Sequence, residues 1–279
     1  MPWSKAADIK KLHSIYPGPT TAILAGRNGA VYYIHTADLA SSNSKLIRCQ
    51  FIMESPGASQ AAIDWRGYEE VVIERVLEYL STRDYPVLQG DGQYCYTGTV
   101  GPEQAAWEER TGIKGHSWMR SNHAYGTYQA MRDAALMGGN VGAEMMYQAK
   151  MFFFGNRYEE TSLECVALSR VLVAFQVLID LKQPMFPYLG HVIHLIYSAP
   201  LINEFGKDVI SNLVGRNLVE ISEKELDLLL CKGDEFAMDV TNAVSRRVDE
   251  QNEKIEKEIA LKAALLGKIK KLRGLGSKK

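Results

Sequence analysis

The chain has 279 residues, 46% of them hydrophobic and 23% charged, with a formal net charge of -1. That length supplies a real core for one large or two modest domains, and the composition excludes a disordered or fibrous chain. The near-zero charge excludes a global electrostatic drive toward nucleic acid or anionic membrane.

Cys49, Cys95, Cys165 and Cys231 lie far apart with no C-x-x-C pair. This predicts reduced thiols rather than a disulfide framework or a zinc site. The opening MPWSKAADIKK has no apolar signal core. The most apolar run, Val166 to Leu181, is interrupted by Arg170, Gln176 and Asp180. It reads as too short and too polar to span a bilayer. The expected location is the cytoplasm or nucleus.

In chain order, residues 1–19 read as an arm. Ile9, Leu12, Ile15 and Tyr16 have helical spacing, and Pro17-Gly18-Pro19 stops the helix. Thr20 to His35 reads as a hairpin, with TTAILAG and VYYIH flanking Arg27-Asn28-Gly29-Ala30. Asn-Gly favours the positive φ angles of a tight turn. Lys45 to Glu54 continues as a short helix, Ser55-Pro56-Gly57 as a loop, and Ala61 to Ile63 as a third strand. Tyr68 to Leu80 is the clearest helix. Val72, Ile73, Val76, Leu77 and Leu80 form its apolar stripe, and Glu69, Glu70, Glu74, Arg75 and Glu78 take the other side. Ser81 to Tyr85 closes it with polar residues, and Pro86 cannot continue it.

The stretch Ala61 to Pro86, AAIDWRGYEEVVIERVLEYLSTRDYP, resembles the end of the first half of a BTB/POZ domain as fungal members of that family write it. Asp64, Val72, Leu77, Tyr79, Leu80, Thr82, Asp84 and Tyr85 match, and Ser81 stands where Tyr is commoner. Upstream, Ile34, His35, Leu39, Asn43 or Ser44, and Leu46 fall in the matching register, so the resemblance runs from Asp8 to Pro86. His35, read alone, suggests a catalytic base, but the family uses this position structurally. In the family a leading helix often packs across a dimer, which here implies self-association through Leu12, Ile15 and Tyr16. A short helix on its own domain is the other reading of the arm.

Val87 to Asn140 has no long periodic run, and Ala105 to Arg110 and Tyr128 to Met137 read as short helices. The family has only a short connection here, so residues 87–140 look like an insertion. A long loop in a compact domain is functional or disordered. Its aromatic residues, among them Trp107, Trp118, Tyr125 and Tyr128, predict that much of it is ordered against something. It also holds Cys95, His116 and His123, with Asp91 and Glu103 near. The spacing of the two histidines fits neither one helix face nor a common finger pattern, and no metal is expected.

Gly142 to Tyr158 returns to helix, with Met145, Met146, Ala149, Phe152 and Phe153 on a stripe. The phrase AEMMYQAKMFFFGNRYEETSLE resembles the family's next helix through Ala149, Lys150, Met151, Phe152, Arg157, Tyr158 and Leu163. Gly155 stands where the family usually has Ala. Glu160 to Leu181 matches the following helix through Leu163, Ala167 and Val171. Met185 to Ser198 reads as a helix, with His191 and His194 three apart, and Ile196, Tyr197 and Pro200 match in outline. Asn203 to Cys231 makes one or two helices more. Asp239 to Leu272 reads as one long helix. Val244, Val248, Ile255, Ile259, Leu266 and Ile269 recur near four and seven, interrupted by Asn252 and Lys262. After Glu258 there are seven basic residues and no acid.

The expected fold is therefore α/β in the sense of α+β: a BTB/POZ-like small sheet of three strands with surrounding helices, plus a mainly helical C-terminal extension. The expected divisions are 1–19, 20–86, 87–140, 141–200, 201–236 and 237–279. No nucleotide-binding glycine loop and no G-x-S-x-G elbow is present, so no catalytic residue and no cofactor is expected. The resemblance implies a protein-interaction scaffold that self-associates or serves as a cullin ubiquitin-ligase adaptor. Its contact face is implied near Tyr79, Thr82, Asp84 and Tyr85 and near Asn156, Arg157 and Tyr158. The span 87–140 connects those two places, so it either covers that face or replaces it with a new one, and a scaffold whose own partner binds the insertion is the preferred form of this reading. Two other readings stay open. An enzyme or metal-dependent activity in 87–140 needs Cys95, His116 and His123 to converge. A nucleic-acid-associated or membrane-associated regulator needs the basic tail, Lys262 to Lys279.

Overall fold

The computed structural model describes residues 3–5, 18–52, 62–85, 106–107, 121–185, 188–200, 204–221, 223–231 and 233–276. Leu12, Ile15 and Tyr16 of the arm, and the side chains of Cys95, His116 and His123, lie outside the described residues. The architecture is mixed α+β and mostly helical. Two compact units are present, Met1–Gly206 and Lys207–Lys279.

The first unit holds a four-stranded sheet of order β1-β3-β2-β4, where β1 is Trp3–Lys5, β2 Thr20–Ala25, β3 Ala30–His35 and β4 Ile63–Trp65. The expected sheet had three strands. The fourth, β1, pairs antiparallel at the outer edge of β3, with Trp3 opposite Ile34. Three residues are too few for alternation to announce a strand. β2 and β3 form the expected hairpin, and alternate residues (Thr21, Ile23 and Ala25; Tyr32 and Ile34) point inward. The turn differs from the expected one. Gly26 and Gly29 take the positive φ angles, 66° and 64°, while Asn28 does not. The Gly29 N–H donates to the Gly26 carbonyl at 3.0 Å, and the Gly26 N–H donates to the Tyr68 carbonyl at 3.0 Å. A Cβ at Gly26 would stand 2.8 Å from Glu70 Cγ, so glycine there serves both conformation and close approach. β4 pairs parallel with β2, two residues later than the expected Ala61 start.

Helices α1 (Thr36–Ala40) and α2 (Lys45–Ile52) cross from the hairpin toward β4. Helix α3 spans Glu70–Thr82. Its predicted stripe is buried throughout, but so are Tyr79 and Arg75. Placing Arg75 on the solvent side is corrected: its guanidinium is held by a carboxylate from another helix. The helix also runs two residues past Leu80. Ser81 donates to Asp38 Oδ2 at 3.0 Å, and the Thr82 hydroxyl reaches the Glu78 carbonyl one turn back at 2.8 Å. Both polar side chains are thereby satisfied within a helix.

Helices α4 (Ser121–Leu136), α5 (Val141–Arg157), α6 (Thr161–Asp180) and α7 (Tyr188–Tyr197) complete the first unit. Asn140 caps α5, its side chain accepting from the Ala143 N–H at 2.9 Å. α6 is the central helix. It starts five residues before the apolar run read from sequence, and is long and apolar enough, by length and composition, to cross a membrane. The expectation that it is too short and too polar is corrected. Most of it is buried inside the protein, and its polar interruptions have partners: Arg170 with Asp84, Gln176 with Asp180.

The second unit contains most of α8 (Glu204–Arg216), a 3-10 turn at Leu218–Glu220, α9 (Glu223–Leu230) and α10 (Asp234–Gly276). α10 is a single helix of 43 residues. α8 lies against it at Gly215, where a Cβ would stand in ordinary contact, 3.4 Å from Ala243 and Val244. Arg246 pairs with Asp208 at 2.7 Å, and Arg247 donates to the Arg216 carbonyl at 2.7 Å. Phe236, Val240 and Ala243 are buried. From Ser245 to Leu266 every residue is exposed.

Candidate functional site

The two stretches implied as a contact face, near Tyr79–Tyr85 and Asn156–Tyr158, converge on one loop, Ser41 to Ser44. α3 ends at Arg83, whose φ of 62° is left-handed and whose N–H donates to the Tyr79 carbonyl at 2.7 Å. The Arg83 guanidinium then reaches the Ser41 carbonyl at 2.5 Å and the Ser41 hydroxyl at 3.0 Å. On the other side, Ser42 donates to Glu160 Oε2 at 2.5 Å, and the Ser44 N–H donates to the same oxygen at 3.0 Å. The Ser44 hydroxyl bonds the Tyr158 carbonyl, and the Ile47 N–H donates back to Ser44 Oγ at 3.0 Å, capping α2. Asn43 lies 3.4 Å from the Ser162 hydroxyl. α5, like α3, is followed by a non-glycine residue in the left-handed region, Glu159 at φ 56°.

Of the seven implied contact residues, four are core. Tyr79, Tyr85, Asn156 and Tyr158 are buried, while Thr82 and Arg157 are exposed and the Asp84 side chain is half-exposed. The Tyr158 ring packs 4.5 Å from Phe154, which in turn lies 5.0 Å from Trp65 and 4.9 Å from Tyr68. The Tyr79 ring lies 6.3 Å from that of Tyr85. Burial, reinforced by the charge of Glu160, pushes the Tyr79 hydroxyl up to about 12. What reaches solvent at this junction is a polar rim: Ser41, Asn43, Thr82, Arg83, Arg157, Glu159 and Ser162.

Beneath the rim runs a buried polar chain. Arg75 meets Glu144 with two parallel bonds of 2.8 and 2.7 Å. Gln148 donates to Glu144 Oε1 at 2.6 Å and accepts from the Tyr85 hydroxyl at 2.6 Å. Arg170 donates to the Tyr85 carbonyl at 2.8 Å and to Asp84 Oδ1 at 2.6 Å, and its guanidinium stacks 4.0 Å over the Tyr85 ring. Burial pushes the Tyr85 phenol up to about 12 against the opposing pull of Arg170. The chain joins α3, α5 and α6 where the backbone leaves for residue 86. Sequence reasoning did not find it. Its signal was three charges, Arg75, Glu144 and Arg170, set within apolar helices, and no rule of spacing pairs them.

The 87–140 span contributes core. Trp107, Tyr125 and Tyr128 pack together, with Trp107 and Tyr128 at 5.2 Å, and Tyr128 donates to Asp180 Oδ2 at 2.6 Å. α4 is a full helix of 16 residues rather than the short one read from Tyr128 to Met137. Among the described residues no group of His, Cys, Asp and Glu is arranged to hold a metal. His191 and His194 are exposed on α7, and His35 closes β3 opposite Thr20. Burial raises the Cys165 thiol above its ordinary value, and Cys49 and Cys231 are exposed.

No protein-family model matches the chain, and comparison with curated proteins and with solved structures gives no match.

Proposed function

We propose that the chain is a non-catalytic protein-interaction scaffold of the BTB/POZ type, with its partner contact on the polar rim around Ser41–Ser44. One observation carries this reading. Two stretches more than 70 residues apart, each singled out by resemblance, meet at the same loop and end in exposed charged residues held at positive φ, Arg83 and Glu159. A left-handed residue is a common helix ending. In a non-glycine residue it costs about 1–2 kcal/mol, and here both such residues are charged and exposed. A hairpin, a third strand of the small sheet and a following helix are what the resemblance implies for the first half. A cullin ubiquitin-ligase scaffold is the partner it names. Self-association through the arm belongs to the same proposal.

Capture of a purified cullin by the immobilised intact chain tests the adaptor role. Arg83→Glu and Arg157→Glu, both on exposed residues, are expected to weaken capture at least tenfold while leaving the melting temperature within a few degrees. Capture that ignores both variants moves the contact elsewhere. No capture at all removes the adaptor role.

A further inference from the structure

We infer that α10 pairs antiparallel with the α10 of a second copy of this chain. The helix carries an apolar line that its own unit covers only at the start. Val244 is half-buried beside Gly215. Beyond it Val248, Ile255, Ile259 and Leu266 are 49–61% exposed. Their spacings from Val244 onward are four, seven, four and seven residues. An eleven-residue repeat closes just past three whole turns, so these side chains stay in line on a nearly straight helix. The stripe thus continues a face that is already an interface. Helices take most of their stability from packing such a face.

Charge selects the occupant and its direction. Residues 249–258 hold five acids and two lysines, a net of -3. Residues 259–273 hold five basic residues and no acid. Parallel pairing sets like charge on like along both halves. Antiparallel pairing sets the acidic half of each copy on the basic half of the other.

The lengths agree. A register that sets Ile255 level with the partner's Leu266 sets Glu253 level with the partner's Lys268 and Glu250 level with the partner's Lys271. It also sets Ser245, where exposure begins, level with the partner's Gly276, where the helix ends. The stretch from Ser245 to Gly276 in one copy therefore lies along the same stretch of the other. Lys262, which interrupts the stripe, sits close to the centre of the overlap. Its stem can lie along the partner's Ile259 with the ammonium in water.

The test is the mass of the intact chain by light scattering across a range of concentrations and salt. The expected result is twice the 31.2 kDa of one chain. Ile255→Asp with Ile259→Asp, both at exposed positions, is expected to halve it. Leu261→Asp, roughly 120° around the helix from Ile255, is expected to leave it unchanged. Raising sodium chloride from about 0.01 M to about 1 M cuts the screening length from about 30 to about 3 Å, and is expected to loosen the dimer at least tenfold. A monomer at every concentration overturns the inference. So does a dimer that survives the double variant, and one lost on removing residues 1–19 belongs to the arm and leaves the scaffold reading standing. A dimer that Leu261→Asp also splits, or that salt leaves unchanged or tightens, overturns the antiparallel stripe. Capture of cullin by the double variant is a separate readout that tests the scaffold reading alone.

Discussion

Glu144 is 2% exposed, and its carboxylate is paired with one guanidinium, that of Arg75. Desolvating two charges offsets much of their attraction, so the pair adds little net stability, yet removing one partner strands the other. Glu144→Ala is therefore expected to cost about 3–5 kcal/mol by urea denaturation. The double replacement Arg75→Met with Glu144→Leu is expected to cost less than that single change. If the single change proves as mild as a surface substitution, the pair is not buried in solution. Tyr85, in the same chain of contacts, gives a pH signature. Its phenol is pushed from the ordinary 10.0 to about 12, first by burial. The folded-state value is raised, so the stability tied to the neutral phenol is complete below pH 10. It is lost between about pH 10 and 12, as the unfolded chain ionises and the folded chain does not. Unfolding free energies measured across that window should fall with pH, and Tyr85→Phe should flatten the fall. A slope identical in the variant would assign the loss to other tyrosines.

At the scale of elements, Gly155 marks a close approach of α5 to α6. A Cβ there would stand 2.9 Å from the Glu164 backbone nitrogen and 3.0 Å from its Cγ. Backbone cannot swing aside as a side chain can, so Gly155→Ala is expected to destabilise by about 1–3 kcal/mol through overpacking, read as a lowered denaturation midpoint. The alanine that the family resemblance prefers is thus one this chain cannot accept without separating two helices. The opposite sign is expected at the end of α6. Lys182 is exposed and held at φ 51°, a conformation that glycine adopts freely. Lys182→Gly should stabilise by about 1 kcal/mol. These elements also show what the sequence made legible. The stripe of α3 and the hairpin were readable because each repeats a period over several residues. Of the α5 stripe Met145, Ala149 and Phe152 are buried, while Met146 and Phe153 are half-exposed and Gln148, Met151 and Phe154 take their place inside. β1 was not readable, since Trp3–Lys5 spans a single alternation and is specified by the edge of β3. In the hairpin turn Gly29 takes the expected positive φ, but its companion is Gly26 rather than Asn28, since the Gly26 N–H is held by the Tyr68 carbonyl, more than 40 residues on. Four of the seven implied contact residues are core because of partners distant in sequence or beyond the helix end: Tyr158 packs beside Trp65 of β4, and Tyr79 beside Tyr85.

Across the whole molecule, the span that looked inserted cannot be treated as a removable cover. Met131 of α4 is fully buried, and Tyr128, Ala130 and Ala135 are at most 7% exposed. Tyr128 is also tied to Asp180 at the end of α6. Burying Met131 alone is worth about 1.5–3 kcal/mol, against total stabilities of about 5–15 kcal/mol for a native domain. Excising residues 87–140 to look for a masked partner surface would therefore confound unmasking with unfolding, because it uncovers the side of α6 that α4 packs against. A chain lacking only residues 121–136 is expected to lose most of its stability and its sharp thermal transition, and to gain binding of a hydrophobic dye. Should that chain melt as the intact one does, α4 is dispensable, and deletion of the span becomes a clean test of whether it hides the rim around Ser41–Ser44. If it does not, partner binding has to be read through the exposed residues Arg83 and Arg157 in the intact chain, where a lost contact and a lost fold give different results.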